Sequence, residues 1–397
     1  MAQVSASALA VPHSRIRELA ELAIRMDEST PDPNDKVLKL YFGESNLPTP
    51  EYIKRAAQKA MQDGYTYYTS NAGLLSTRRM IQRYYEDRHQ VALDPESEIV
   101  VTTSGVQALN VAIRCVLDPG DEAIVLTPAW PNQSANVSMS NALPREVPHV
   151  LCGGRFNIDF TALEAALSPR TRLLIYTSPS NPLGWTATVE EQKQLLDFAR
   201  RHDLWLLADE VYERLYYVPA KLGTPAPSIL KLATRDDAVI AVQSFSKSYC
   251  MTGWRVGWLT ARKDLAARAT MLNEFIISHA PSFSQRAGES ALEWGENTLR
   301  QMLAEFKINR DFCLAALRKM KRVTVPEPEG AFYLFPRIQG MTDSFGFCKQ
   351  LLLDTKVGLA PGVAFGAGGE GYVRICYASE RSILEKAMQR LSDFLAG

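Results

Sequence analysis

The sequence predicts an α/β protein with a large domain built on a mostly parallel central sheet and a smaller α+β domain. Three observations predict it. Short apolar runs alternate with helical patterns through the middle of the chain, as in strands joined by helical crossovers. The chain has 397 residues, more than one ordinary core organises. Polar residues directly follow the apolar runs, where open α/β sheets bind ligands.

The elements follow in order. The first twelve or so residues are small and polar enough to form a loose tail. Ile16, Leu19, Ala20, Leu22, Ala23 and Met26 recur at helical spacing behind Ser14, a candidate N-cap, so a helix is predicted over 14–26. The segment STPDPND from Ser29 reads as a loop. Residues 98–103 read as a strand and residues 105–117 as a helix, with Leu109, Ala112, Ile113 and Val116 on one face. Asp118-Pro119-Gly120-Asp121 is a turn, and residues 123–126 are another strand. The runs 173–176, 205–208 and 238–242 extend the sheet, with helical pattern between the first two. From about Leu292 to Arg322 the pattern is charged and helical. Residues 329–335, a Gly- and Pro-rich stretch over 361–371, a strand over 372–377 and a final amphipathic helix follow. The predicted division is therefore 1–46, a tail and helix belonging to the small domain, 47–291, the large domain, and 292–397, the small C-terminal domain. Both chain ends are expected to build the smaller unit together.

Composition excludes several classes of function. Hydrophobic residues make up 46% and charged residues 22%, with 44 basic against 44 acidic side chains. A balanced charge gives no electrostatic reason to bind nucleic acid or an anionic membrane, though a local cationic pocket remains compatible with it. Cys115, Cys152, Cys250, Cys313, Cys348 and Cys376 form no paired spacing, which reads as reduced thiols. The five histidines make no metal-binding spacing, so no metal is expected. The N-terminus lacks a basic start followed by a long apolar core, and no run of eighteen apolar residues occurs. A cytoplasmic protein is the expectation.

The chemistry gathers behind the apolar runs. Thr103-Ser104-Gly105 follows the first. Ser178-Pro179-Ser180-Asn181-Pro182 follows the run 173–176, Asp209-Glu210-Val211-Tyr212 the run 205–208, and Ser244-Phe245-Ser246-Lys247 the run 238–242. Most lysines lie on surfaces, but Lys247 sits in the segment SFSKSYCMTGWRVGW among Phe245, Tyr249, Met251, Trp254 and Trp258. A desolvated lysine has a lowered pKa, and the neutral amine attacks an aldehyde. Arg255 with Ser244 and Ser246 could hold a phosphate through charge-assisted hydrogen bonds. An aldehyde site beside a phosphate site is what pyridoxal 5′-phosphate requires.

This segment resembles the cofactor-lysine signature SxSKxxxxxGWRxGW of class I/II aminotransferases, the fold-type I pyridoxal-phosphate enzymes. The resemblance runs from Gly43-Glu44 to Arg374 with the motifs in the family's order. It implies a fold-type I architecture and a ping-pong exchange of an α-amino group between an amino acid and a 2-oxo acid, with Lys247 as Schiff-base lysine and general base. Asp209, which alone would read as a helix cap, matches the carboxylate that pairs with the pyridine nitrogen. Tyr212, and Asn181 in SPSNPLGW, match groups that hydrogen-bond the cofactor's phenolic oxygen. Ser104, Gly105 and Val106, at a predicted helix start, match the second half of the phosphate cradle. Trp130 in TPAWPN matches the ring stacked on the pyridine. Tyr68 in YTYYTSNAG, otherwise an aromatic surface loop, matches a tyrosine that reaches the neighbouring subunit's phosphate, which implies a homodimer with shared active sites. Arg374 in YVRICYA matches the arginine for the substrate α-carboxylate, a group to which Gly43 would offer its backbone N–H.

The sequence departs from the commonest pattern where substrate would lie. Gly43-Glu44-Ser45-Asn46 replaces G-E-P-D, and Asn181-Pro182-Leu183-Gly184 replaces N-P-T-G. Aspartate-preferring relatives often carry a lysine where Val106 stands, so a neutral, aliphatic or aromatic amino donor is expected. A carbon–sulfur lyase or an aminocyclopropane-carboxylate synthase would use the same lysine and ring contacts. A transcription regulator built on this fold would need a DNA-binding domain, and only about forty residues precede Gly43, with no basic excess. The intact set Asn181, Asp209, Tyr212, Lys247, Arg255 and Arg374 argues against a protein with a dead site.

Overall fold

The structure, a computed structural model, describes residues 3–9, 11, 13–32 and 35–396. Its centre is a seven-stranded sheet. In chain order the strands are β1 (Ile99–Thr102), β2 (Glu122–Thr127), β3 (Leu143–Pro148), β4 (Thr171–Thr177), β5 (Trp205–Asp209), β6 (Val239–Ser244) and β7 (Gly257–Ala261). Their spatial order is β1-β7-β6-β5-β4-β2-β3. β3, β2, β4, β5 and β6 pair parallel in turn, while β7 runs antiparallel to both β6 and β1. Six strands therefore point the same way, and their carboxyl ends share one edge.

Both faces of this sheet are covered. Leu174, Tyr176, Leu206, Ala208 and Ala241 enter one core, and Leu173, Ile175, Leu207, Ile240 and Val242 enter the other. Neighbours along a strand point to opposite faces, so a sheet packed on both sides needs continuous apolar runs. That requirement is why residues 173–176, 205–208 and 238–242 read as strands. The predicted helices also form. Arg15–Ser29 is capped by Ser14, whose hydroxyl accepts from the Arg17 backbone N–H. Gly105–Val116 is capped by Ser104, and Arg381–Ala396 closes the chain.

Several expectations need correction. Within the predicted N-terminal tail, Ala6–Leu9 form a helical turn, and Met1, Ala2, Ala10 and Pro12 lie outside the described residues. The loop predicted from Ser29 begins after that residue, which still belongs to the helix, and Pro33 and Asn34 lie outside the described residues. The helical stretch over 292–322 is two helices, Ser282–Trp294 and Glu296–Leu317, divided at Gly295. Strands β3 and β7 had no counterpart in the sequence reading. β3 is an edge strand with two prolines and several solvated side chains, so it lacks an apolar run. β7 is buried throughout, but it begins at a glycine within the SFSKSYCMTGWRVGW motif, where glycines and Arg255 break up the apolar run.

The chain ends meet. Leu38–Lys39 pairs parallel with Val357–Gly358, and Val373–Cys376 lies between Tyr333–Leu334 and Ala360–Pro361 in a small antiparallel sheet. This sheet brings Arg374 and Tyr333 towards the carboxyl edge of the large one. No helix among the described residues is long and apolar enough to cross a membrane.

Candidate active site

A cavity of about 470 Å³ opens at the carboxyl edge of the sheet. Ser104 and Gly105 come from the end of β1, Trp130 from the end of β2, and Thr177 and Asn181 from β4 and its following loop. Asp209 and Tyr212 come from β5, and Ser244, Ser246 and Lys247 from β6. Because β7 is antiparallel, its entrance lies at this same edge and delivers Arg255. Arg374 enters from the chain-end strand Val373–Cys376, and Gly43 from the loop after Leu38–Lys39. Every residue expected to touch cofactor or substrate lines the cavity except Tyr68, which is 89% exposed with its ring edge-on to His279 at 5.8 Å.

Lys247 occupies the single helical turn Phe245–Ser248. Its Nζ donates to the Gly43 carbonyl at 2.6 Å. No carboxylate forms an ion pair with it among the described residues, and burial lowers its pKa to about 8. The source of that burial differs from the sequence expectation. Phe245, Tyr249, Met251 and Trp258 pack into a separate core on the far side of the turn. Residues four apart share a helix face, so Phe245 and Tyr249 point together, away from Lys247. The rings that approach its ammonium are those of Tyr212 and Phe332, each 5.9 Å away.

Asp209 is buried and its pKa is raised to about 6, mainly because burial penalises its charge. Its two contacts are long, both 3.4 Å, from the side chain of Gln133 and the backbone N–H of Val211. A buried carboxylate so weakly satisfied suits a cationic N–H partner in the cavity. Arg374 donates Nη1 to Asn181 Oδ1 at 2.8 Å and Nη2 to the Tyr41 carbonyl at 2.5 Å, while its buried Nε has no partner among the described residues. With its carbonyl occupied, Asn181 keeps its amide N–H groups for the cavity.

The opposite end suits an anion. Ser244 Oγ and Ser246 Oγ lie 2.9 Å apart. The Arg255 guanidinium contacts the Thr252 carbonyl at 2.6 Å and pairs with no carboxylate among the described residues. The twelve-residue helix Gly105–Val116 aims its amino terminus at the same place. Gly257 permits that approach, since a Cβ there would stand 2.7 Å from the Gly105 nitrogen and 2.6 Å from the Gln243 carbonyl. An unpaired cation, two hydroxyls and a helix start at one end, an under-satisfied carboxylate along the side and a partly neutral amine between them fit pyridoxal 5′-phosphate in charge and in donor set.

Sequence reasoning missed the lining residues Tyr333, Thr177 and Arg17, and Gln133 behind them. Tyr333 bonds Tyr212 between hydroxyls at 2.7 Å, and Gln133 links Asp209 to Thr177. Arg17 lies with its guanidinium 5.4 Å from the Phe42 ring centroid. Nothing local in residues 329–335 tells that Tyr333 returns to this cavity.

Comparison with known proteins bears on the identity. The aminotransferase class I and II family pattern matches residues 35–391. The probable N-acetyl-LL-diaminopimelate aminotransferase of Bacillus subtilis is 35% identical over 383 residues, covering 96% of this chain and 95% of that protein. The aspartate aminotransferase of Pyrococcus horikoshii is 34% identical over 392 residues, covering 98% and 96%. The crystal structure of the aromatic aminotransferase from Pyrococcus horikoshii superposes with a TM-score of 0.86 at 32% identity, covering 96% of this chain and 98% of that one. The chain belongs to the class I and II aminotransferases, enzymes of fold type I whose cofactor is pyridoxal 5′-phosphate.

Proposed function

We propose that this aminotransferase moves the α-amino group of a neutral, aliphatic or aromatic amino acid to a 2-oxo acid by a ping-pong route through the cavity at Lys247. One observation carries the reading: Lys247, with a pKa lowered to about 8, lines one cavity with the buried carboxylate Asp209 and the partner-seeking guanidinium Arg374. When bound, the cofactor supplies an aldehyde for the incoming amine and a ring that takes up the electrons left by the departing α-proton.

The chain's own groups do the rest. Arg374 receives the α-carboxylate through its free Nε and the outer edge of its fork, with Asn181 and Tyr41 holding it in place. With the cofactor bound, Asp209 would keep the ring nitrogen protonated and Trp130 would pack on the ring. Tyr212 and Asn181 would donate to the ring oxygen. Ser104, Gly105, Val106, Ser244, Ser246 and Arg255 would hold the phosphate. Lys247 Nζ takes the α-proton and returns it one position away, a task suited to a base whose pKa lies near neutrality. In a ping-pong exchange the first product would leave before the second substrate enters.

Substrate choice rests on the rest of the lining. Val106 adds no charge, and Ile16, Phe42 and Trp130 add apolar surface, which favours a neutral donor side chain. Arg17 pairs with no carboxylate among the described residues and offers an acidic 2-oxo acid a contact for its distal group.

The remaining sequence expectations extend this proposal. The division 1–46, 47–291 and 292–397 is supported by the pairing of Leu38–Lys39 with Val357–Gly358. A homodimer is supported by exposed Tyr67, Tyr68, Phe275, Ile276 and Ile277, with the Tyr68–His279 contact joining the two segments. In that dimer Tyr68 reaches the partner's phosphate site.

A single-turnover experiment tests the reaction. Enzyme mixed with one amino acid and no acceptor is expected to release one equivalent of 2-oxo acid per site and stop. Continuous release of ammonia or a thiol would instead identify a lyase.

A further inference from the structure

Tyr333 has no role in the reading above. It lies on the small chain-end strand Tyr333–Leu334, fully buried, with its hydroxyl 2.7 Å from that of Tyr212. Each phenol has one proton. The Tyr333 hydroxyl has no other hydrogen-bond partner among the described residues, and the Arg374 guanidinium 4.5 Å from its ring centroid can only donate. Either hydroxyl can donate in this pair; with the Tyr333 proton on the Tyr212 oxygen, the Tyr212 proton is free to point elsewhere. The positive charge of Arg374 strengthens Tyr333 as a donor, and donation along a chain of hydroxyls polarises the next member.

Packing leaves Tyr333 no alternative position. Its hydroxyl lies against Gly43 so closely that a Cβ there would stand 2.2 Å from it. The Phe332 ring meets both tyrosines edge-on, at 5.5 Å from Tyr212 and 4.8 Å from Tyr333. The charged and titratable groups around the pair are Lys247 from the 245–248 turn, Asp209 from β5, and Arg374 and Cys376 from the strand Val373–Cys376.

We propose that Tyr333 is a positioning residue, whose hydroxyl donates to Tyr212 and so commits the Tyr212 proton to the cofactor's ring oxygen. This rests on the proposed role of Tyr212. A donor at that oxygen stabilises the unprotonated chromophore, so weakening the donor raises the pH at which the chromophore titrates.

The experiment is a pH titration of the holoenzyme's visible absorbance without substrate, for wild type, Tyr212→Phe, Tyr333→Phe and the double variant. Tyr212→Phe is expected to raise the midpoint. Tyr333→Phe is expected to raise it less, by roughly half a pH unit, about a threefold change in proton affinity. The double variant should titrate like Tyr212→Phe alone, because Tyr333 acts only through Tyr212. Gly43→Ala, which displaces the Tyr333 hydroxyl without removing it, should shift the midpoint in the same direction. A Tyr333→Phe midpoint equal to wild type, with Tyr212→Phe shifted, overturns the proposal and leaves Tyr212 its role. An unshifted Tyr212→Phe overturns both.

Discussion

Replacing Lys247 with methionine should make the cofactor-free protein relatively more stable at neutral pH than at alkaline pH. The lysine is held in a site that disfavours its charge, and its pKa falls from 10.5 to about 8. A base whose folded pKa lies below its unfolded value binds fewer protons folded than unfolded between those two values. Its contribution to stability therefore rises as pH climbs from 8 to 10.5, and below 8 the penalty is felt in full. The shift corresponds to roughly 3 kcal/mol at pH 7. Lys247 is only partly buried and the cavity mouth admits solvent, so about half of that, ~1.5 kcal/mol, is expected to survive screening. Spread over the unfolding entropy of the whole chain, this is about 2 °C in melting temperature. Methionine fills nearly the same volume without the charge. It also loses the bond to the Gly43 carbonyl, whose extra strength with the charged amine offsets part of the penalty below pH 8. The assay strips both proteins of cofactor and compares melting temperatures at equal concentration from pH 7 to 10.5. The melting temperature of Lys247→Met minus that of wild type should fall by about 2 °C across this range. A difference that stays constant with pH would refute the claim that the site holds this amine partly neutral.

Three further outcomes follow from the same geometry. Asp209→Asn should lower kcat by about 100-fold or more at saturating cofactor, since it removes the buried negative charge proposed to pair with the ring nitrogen; a variant within threefold of wild type would deny that pairing. Arg255→Gln should weaken cofactor binding by roughly 10- to 100-fold, the worth of one or two charge-assisted hydrogen bonds, measured by fluorescence titration of the stripped enzyme. Arg17→Gln should lower kcat/KM for a dicarboxylic 2-oxo acid by about tenfold and leave a neutral 2-oxo acid unaffected; equal losses for both would remove Arg17 from acceptor recognition.

Much of this protein was legible before folding, for a physical reason. A parallel sheet buried on both faces needs unbroken apolar runs, so residues 173–176, 205–208 and 238–242 announced themselves as strands. Ligands gather where such strands end, so Asp209, Ser244 and Lys247 could be found by looking one step beyond each run. The helix starts at Ser14 and Ser104 were equally visible, because a cap satisfies its own backbone locally. Other features depend on neighbours far away in the chain. β3 exists because β2 offers it an edge, not because its own side chains demand a strand. The rings near the Lys247 ammonium are those of Tyr212 and Phe332, brought in by other elements, while the aromatic residues beside it in sequence face the opposite way. Tyr333 reaches Tyr212 across 121 positions, and Arg17 reaches Phe42 only because the first long helix packs over the cavity mouth. The sequence by itself determined the class of sheet, the chemistry at its strand ends and the lysine at its centre, since these follow from local pattern. Tertiary structure alone decided which groups surround that lysine, which hydroxyl meets that of Tyr212 and which unpaired cation lines the cavity, since burial and contact are properties of the packed chain.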